Sequence, residues 1–293
     1  MGVLFGVAVE PSVDVTRVRA VAATAEDAGL DLIGVQDHPY VAEYLDAFVV
    51  IGDLIAHTER IGFFPDVANL PLRPAAQLAR VASSLSLASG GRFQLGLGAG
   101  GYWDAITSMG VERKTPAEAL AAQEEAIALL RALWRPGKVT ASGDWYGVRG
   151  LAGQEPAPGG VEIWLGSQGK RSLALTGKVA DGWAAPIPAY LPYEKWAEGN
   201  QIVDRAAVEA GRDPKAIRRF AQVVGTVTGD GARGVKVHGD APVRGGVQDW
   251  VDVLSRFAED GFDGFVLWPE GDAREQARRF GEEVAPKVRE RLG

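Results

Sequence analysis

Short apolar runs alternate with amphipathic segments from one end of the chain to the other. Runs at residues 3–9, 61–67, 93–97, 161–165, 183–185, 220–228 and 264–268, with another ending at Gln36, have the length and β-branched or aromatic content of buried strands. Between them lie segments of helical period. Asp14 is placed to cap a helix whose inner face is Val15, Val18, Ala22 and Ala25, and Asp46 one carrying Val50, Ile51, Leu54 and Ile55. Leu78, Ala82 and Leu85 follow in the same way. Thr115 and Glu118, with Pro116 between them, form a capping-box pattern ahead of Leu120, Ile127, Leu130 and Trp134. Residues 169–176 and 193–210 read as helices, as do the stripes Trp250, Leu254, Phe257 and Ala273, Ala277, Phe280, Val284. The Gly- and Pro-rich stretch 135–158 holds Val139-Thr140 and Trp145-Tyr146 as a small hairpin, and 229–246 reads as a long functional or mobile loop. Eight strand–helix repeats imply a parallel sheet. Eight units favour a closed TIM-like (β/α)8 barrel over an open sheet, with loop insertions at its C-terminal face. No linker-like break interrupts the pattern, so residues 1–293 are expected to form a single domain.

Composition narrows the function classes. There is no cysteine, which removes disulfides, thiolate catalysis and cysteine metal sites. The formal net charge of −7 disfavours a dedicated nucleic-acid binder. No apolar run approaches a membrane span, and no basic, then apolar, leader opens the chain, so a cytoplasmic location is expected.

The candidate chemistry collects at strand ends, where a parallel barrel carries its active site. Asp37 and His38 follow the second strand, and an imidazole there exchanges a proton near neutral pH. The structural alternative is a turn-capping Asp37 beside a histidine satisfied by backbone. Gly96 to Gly101 match the G-x-G-x-x-G dinucleotide fingerprint, but on the fourth strand rather than the first, and without an acid-ended strand about 20 residues on. Gly98, Gly100 and Gly101 instead read as a strand-tip loop, serving either a close ligand or a tight turn. Gly166, Ser167, Gln168 and Gly169, followed by Lys170 and Arg171, read either as a phosphate cradle at a helix start or as an ordinary turn with surface charges. His57 is expected at a helix C-terminus and His238 in a solvated loop; the three histidines lack metal-binding spacing, so no metal is expected.

Four segments in order, Gln36-Asp37-His38, Asn69 to Pro74, Ser89 to Gly98 and Ala180 to Trp183, resemble the bacterial luciferase-like flavin and deazaflavin oxidoreductases. The resemblance runs through nearly the whole chain. It implies a TIM-like barrel holding an isoalloxazine or deazaflavin ring at its mouth. The Asp-His pair resembles that of the branch using the deazaflavin coenzyme F420. This implies His38 as the proton-handling or electrophile-orienting residue and Asp37 as its orienter or a ligand of the ring's polar edge. The family carries a non-prolyl cis peptide behind the ring. It matches Asp66–Val67 here, with Ala68 next, although a small residue usually stands where this chain has Asp66. Ala99, Gly100 and Gly101 match the loop that contacts the cofactor's ribityl and phosphate portion, and Gly166 to Gly169 match the phosphate loop. Related sugar-phosphate dehydrogenases have a glutamate acid at the position of Gly101. Glycine supplies no proton, and Tyr102 and Trp103 imply a more apolar substrate. The resemblance therefore implies hydride transfer between coenzyme F420 and a small-molecule substrate, in a homodimer. The alternatives are an FMN-dependent monooxygenase served by a flavin reductase, and a non-catalytic flavin-binding protein.

Overall fold

The computed structural model describes residues 2–229, 235 and 237–293. Its first half contains β1 (Leu4–Val9), α1 (Val15–Asp27), β2 (Leu32–Val35), α2 (Ala47–Ala56), β3 (Gly62–Pro65), β4 (Ala68–Asn69), α3 (Ala75–Ala88), β5 (Leu95–Gly98), α4 (Trp103–Ser108) and α5 (Pro116–Leu133). A hairpin of β6 (Lys138–Ser142) and β7 (Gly147–Ala152) follows. The second half contains β8 (Ile163–Leu165), α6 (Lys170–Val179), β9 (Gly182–Ala185), α7 (Trp196–Glu209), β10 (Arg218–Val227), β11 (Val243–Gly245), α8 (Val247–Glu259), β12 (Gly264–Pro269), α9 (Ala273–Arg279) and α10 (Ala285–Leu292). The caps read from sequence are made. Asp14 accepts from the Arg17 N–H, Asp46 from those of Phe48 and Val49, and Thr115 and Glu118 satisfy each other's backbone N–H groups.

Parallel strands pair in the order β3–β2–β1–β12–β10–β9–β8–β5–β4. The two ends of that path, β3 and β4, are successive pieces of one strand, and a Phe63–Phe93 bridge links β3 to the β5 side. The result is a nearly closed TIM-like barrel. The expected third strand, 61–67, is thus divided. Its first piece pairs with β2 and its second with β5, because one strand must serve both neighbours at the closure. The Asp66–Val67 peptide between the pieces is cis.

Strand alternation sorts side chains into two cores. Those pointing outward pack under the helices. Those pointing inward form a smaller cluster of Ala8, Leu32, Phe64, Trp164, Phe220 and Val266. Its rings touch directly, with Trp164 to Phe220 at 4.3 Å and Phe64 to Trp164 at 5.1 Å between centroids. This cluster fills the barrel interior.

Two expectations need correction. Trp145 and Tyr146 form the hairpin turn rather than a strand, because the Glu125 carboxylate takes up the N–H groups of Asp144, Trp145 and Tyr146. Helix α4 occupies a stretch to which the sequence pattern assigns neither helix nor strand. Within 229–246, β11 pairs in parallel with β10, where Gly225 has no Cβ to hold Val243 away; residues 230–234 and 236 of that stretch lie outside the described residues.

Candidate functional site

Asp37 and His38 follow β2 directly, and the structure sends their side chains to different tasks. The Asp37 carboxylate, 2% exposed, accepts from Arg73 Nε at 2.8 Å and Nη2 at 2.5 Å, and from the Asn69 N–H at 2.8 Å. The same guanidinium reaches Asp46 Oδ2 at 2.8 Å and lies 4.3 Å from the Phe48 ring centre. One arginine thereby joins the end of β2, the segment after β4 and the N-cap of α2. A planar five-donor cation suits this fork; a lysine does not. Asp37 makes no hydrogen bond to His38.

His38 is half-buried in an aromatic mouth. Its Nδ1 meets Tyr40 Oη at 2.7 Å, leaving Nε2 without a partner among the described residues. Its ring lies 5.5 Å from Tyr40 and 5.7 Å, edge to face, from Tyr102. Tyr102 in turn shares a hydroxyl–hydroxyl hydrogen bond with Tyr190, which follows β9. Burial holds the imidazole below its ordinary range, and the Asp37 charge only partly opposes this, so His38 is neutral at pH 7. Burial pushes the Tyr40 phenol up to about 12, with Tyr102 and Asp37 adding to the effect. Tyr40 therefore remains a hydroxyl, able to fix the imidazole's orientation.

The end of strand three projects beneath this mouth. Asp66, 6% exposed, follows Phe64 by two residues and so points into the barrel. Gln222 and Trp268 follow Phe220 and Val266 in the same way. Gln222 Nε2 donates to Asp66 Oδ1 at 2.8 Å, and Trp268 Nε1 donates to Gln222 Oε1 at 2.7 Å. Asp66 Oδ2 and Asn69 Oδ1 are buried without a hydrogen-bond partner among the described residues. Burial pushes the Asp66 carboxyl up to about 7, against the lowering effect of the Gln222 amide.

Val67 is half-buried between two glycines. A Cβ on Gly98 or on Gly166 would come 2.9 Å from Val67 Cγ2. These glycines make room for Val67. Val67 is β-branched and has little rotamer freedom with which to yield. Gly166→Ala is therefore expected to cost about 1–3 kcal/mol by overpacking. Urea unfolding checks this, and an unchanged midpoint would refute it. Ala68 is wholly buried and pairs with Leu97.

The two glycine loops differ in accessibility. Gly100, at φ +99°, is the turn residue after β5, and a Cβ there would come 2.8 Å from Pro71. Ala99 is half-buried, whereas Gly101 is exposed and faces open space. After β8, the Ser167 hydroxyl turns inward to the Ser172 carbonyl and Thr176, while Gln168 and Gly169 are exposed at the start of α6. The expected anion donors there are thus backbone N–H groups with Lys170 and Arg171, not Ser167 Oγ. His57 is the C-cap of α2 with Nδ1 on the Asp53 carbonyl, and His238 is exposed against Glu194. Neither joins the mouth.

Sequence reasoning did not find Arg73, Tyr40, Tyr190, Gln222 or Trp268 as site residues. Arg73 lay within a quoted motif but had no role without its partner, and the Gln222–Asp66 bond spans 156 residues of chain.

An acid–imidazole pair, an aromatic mouth and two glycine loops thus gather at the C-terminal end of the barrel. The luciferase-like monooxygenase family model matches residues 3–284, and the chain belongs to that family. The chain is 33% identical over 229 residues to a 5,10-methylenetetrahydromethanopterin reductase from Methanolobus tindarius, covering 78% of this chain and 67% of that one. It spans about half the length of the mycobacterial ketoreductases it also matches. The fold is shared with an F420-dependent secondary alcohol dehydrogenase in complex with an F420-acetone adduct, at TM-score 0.85, 19% identity and coverage of 98% and 99%. It is shared too with the FMN-bound oxygenating constituent of 3,6-diketocamphane monooxygenase from Pseudomonas putida, at TM-score 0.75, 17% identity and coverage of 98% and 99%. The relatives are oxidoreductases, and a deazaflavin or flavin is the cofactor class they support. No helix among the described residues is long and apolar enough to cross a membrane.

Proposed function

We propose that the protein transfers a hydride between coenzyme F420 and a small organic substrate at the barrel mouth. The observation that carries this reading is His38: neutral, half-buried, held by Tyr40 and placed at the end of β2 within the aromatic mouth. The residues also fit a ring with a polar edge, because two buried polar atoms at the end of strand three, Asp66 Oδ2 and Asn69 Oδ1, lack a hydrogen-bond partner among the described residues. In this reading the deazaflavin supplies the two-electron hydride chemistry. Ala99, Gly100 and Gly101 flank its ribityl and phosphate portion, and Gly166 to Gly169 hold the phosphate. Asp66, Val67 and Ala68 back the ring. His38 Nε2 takes a proton from, or orients, the substrate's reacting oxygen. Asp37 acts through Arg73 and Asn69, fixing the backbone on which His38 stands. The assembly is a homodimer that needs no reductase.

The shared fold of the FMN-bound oxygenating constituent favours a second reading, an FMN-dependent monooxygenase supplied by a reductase. Titrating the protein with coenzyme F420 and separately with FMN, read by tryptophan fluorescence, decides between them. Tighter binding of F420 is expected. Preference for FMN would favour the monooxygenase, and binding of neither would defeat both.

A further inference from the structure

We infer that Asp66 engages the bound ring through a proton: its Oδ2 carries a hydrogen that is donated to an acceptor atom on the ring's polar edge. This rests on the proposed function and adds a protonation requirement to it.

The hydrogen-bond chain sets the position of that proton. An indole N–H can only donate. Trp268 Nε1 therefore faces the carbonyl oxygen of Gln222, and the Gln222 amide nitrogen must face Asp66. Oδ1 is thus an acceptor. Oδ2 lies over Gly34, where a Cβ would come within 2.8 Å of it, and no group among the described residues donates to it. A bare anionic oxygen buried in this way is costly, whereas a protonated one is a donor awaiting an acceptor. Flavin and deazaflavin rings carry carbonyl oxygens on their pyrimidine edge and can supply that acceptor.

No neighbouring charge provides an alternative account. Burial and the Gln222 amide are the influences resolved on this carboxyl. The titratable groups at the ends of the flanking strands are already engaged. Glu10 after β1 is hydrogen-bonded to Tyr44, and Asp37 after β2 to Arg73. His38 is held by Tyr40, and Glu270 after β12 pairs with Arg244.

The ordinary aspartate value is 3.8 and the folded value about 7. Between these, the folded chain keeps a proton that the unfolded chain has lost, so Asp66 lowers stability as pH rises across the window. Asp66→Asn replaces the O–H donor with an amide N–H donor that does not titrate. Asp66→Leu removes the donor altogether.

Coenzyme F420 and FMN are titrated into wild type and both variants from about pH 5.5 to about pH 8.5, followed by fluorescence. The ratio of wild-type to Asn-variant affinity cancels the cofactor's own titrations. That ratio is expected to fall by up to about tenfold per pH unit above the Asp66 midpoint. The Leu variant should bind weakly at every pH. Thermal unfolding without cofactor gives a second readout, in which Asp66→Asn gains stability over wild type as pH rises. Cofactor binding with a pH-independent ratio would overturn the inference and leave the proposed function standing. Failure to bind either cofactor would defeat the proposed function, and this inference with it. A Leu variant that binds normally would show that the ring does not use Asp66.

Discussion

Arg73→Leu is expected to remove about 3–5 kcal/mol of stability, the range for breaking one side of a buried ion pair. Asp37 is 2% exposed and receives two of its three hydrogen bonds from Arg73. Without the guanidinium it keeps the Asn69 N–H alone and must hold its charge out of water. The damage should extend to function, because Arg73 joins the backbone carrying His38 to the N-cap of α2. The double variant Asp37→Asn, Arg73→Leu should recover part of the loss, since the stranded charge is gone. Urea denaturation of the two proteins measures both effects. A single-variant loss below about 1 kcal/mol would place this pair among weak surface bridges.

His38→Ala is expected to lower kcat by about 10²–10⁴, the usual worth of a positioned proton-transfer group. Binding of the cofactor should change little, so the loss belongs in kcat rather than in the cofactor Kd. The pH behaviour follows from the direction of the shift. Burial holds His38 below 6.5, so its neutral form is present at pH 7 and is lost only as pH falls through that lowered value. For substrate oxidation the wild-type rate should decline on the acid side with this midpoint, and the variant's residual rate should lack that limb. Full turnover by a variant that binds cofactor normally would remove His38 from the chemistry.

The features legible in the sequence were local in origin. The caps at Asp14, Asp46 and Thr115 bind N–H groups two or three residues away, so spacing alone placed them. The barrel was readable because period-2 and period-3.6 patterning alternate. The glycine loops and the Asp37-His38 pair stood out because they follow strands. What sequence did not supply was partnership. Asp37 meets Arg73 across 36 residues, and Tyr102 meets Tyr190 across 88. Such pairs exist only once strand register and barrel closure are fixed. Trp145 and Tyr146 had strand-like composition, yet the carboxylate of Glu125 on another element decided their conformation.

The aromatic plug inside the barrel has a consequence for traffic. Trp164, Phe64 and Phe220 fill the interior below Asp66 and so bar water and ions from reaching that carboxyl through the barrel floor. A molecule seated there acts as a stopper. While it stays, the proton on Asp66 is sealed in, and the next exchange with bulk solvent waits for departure.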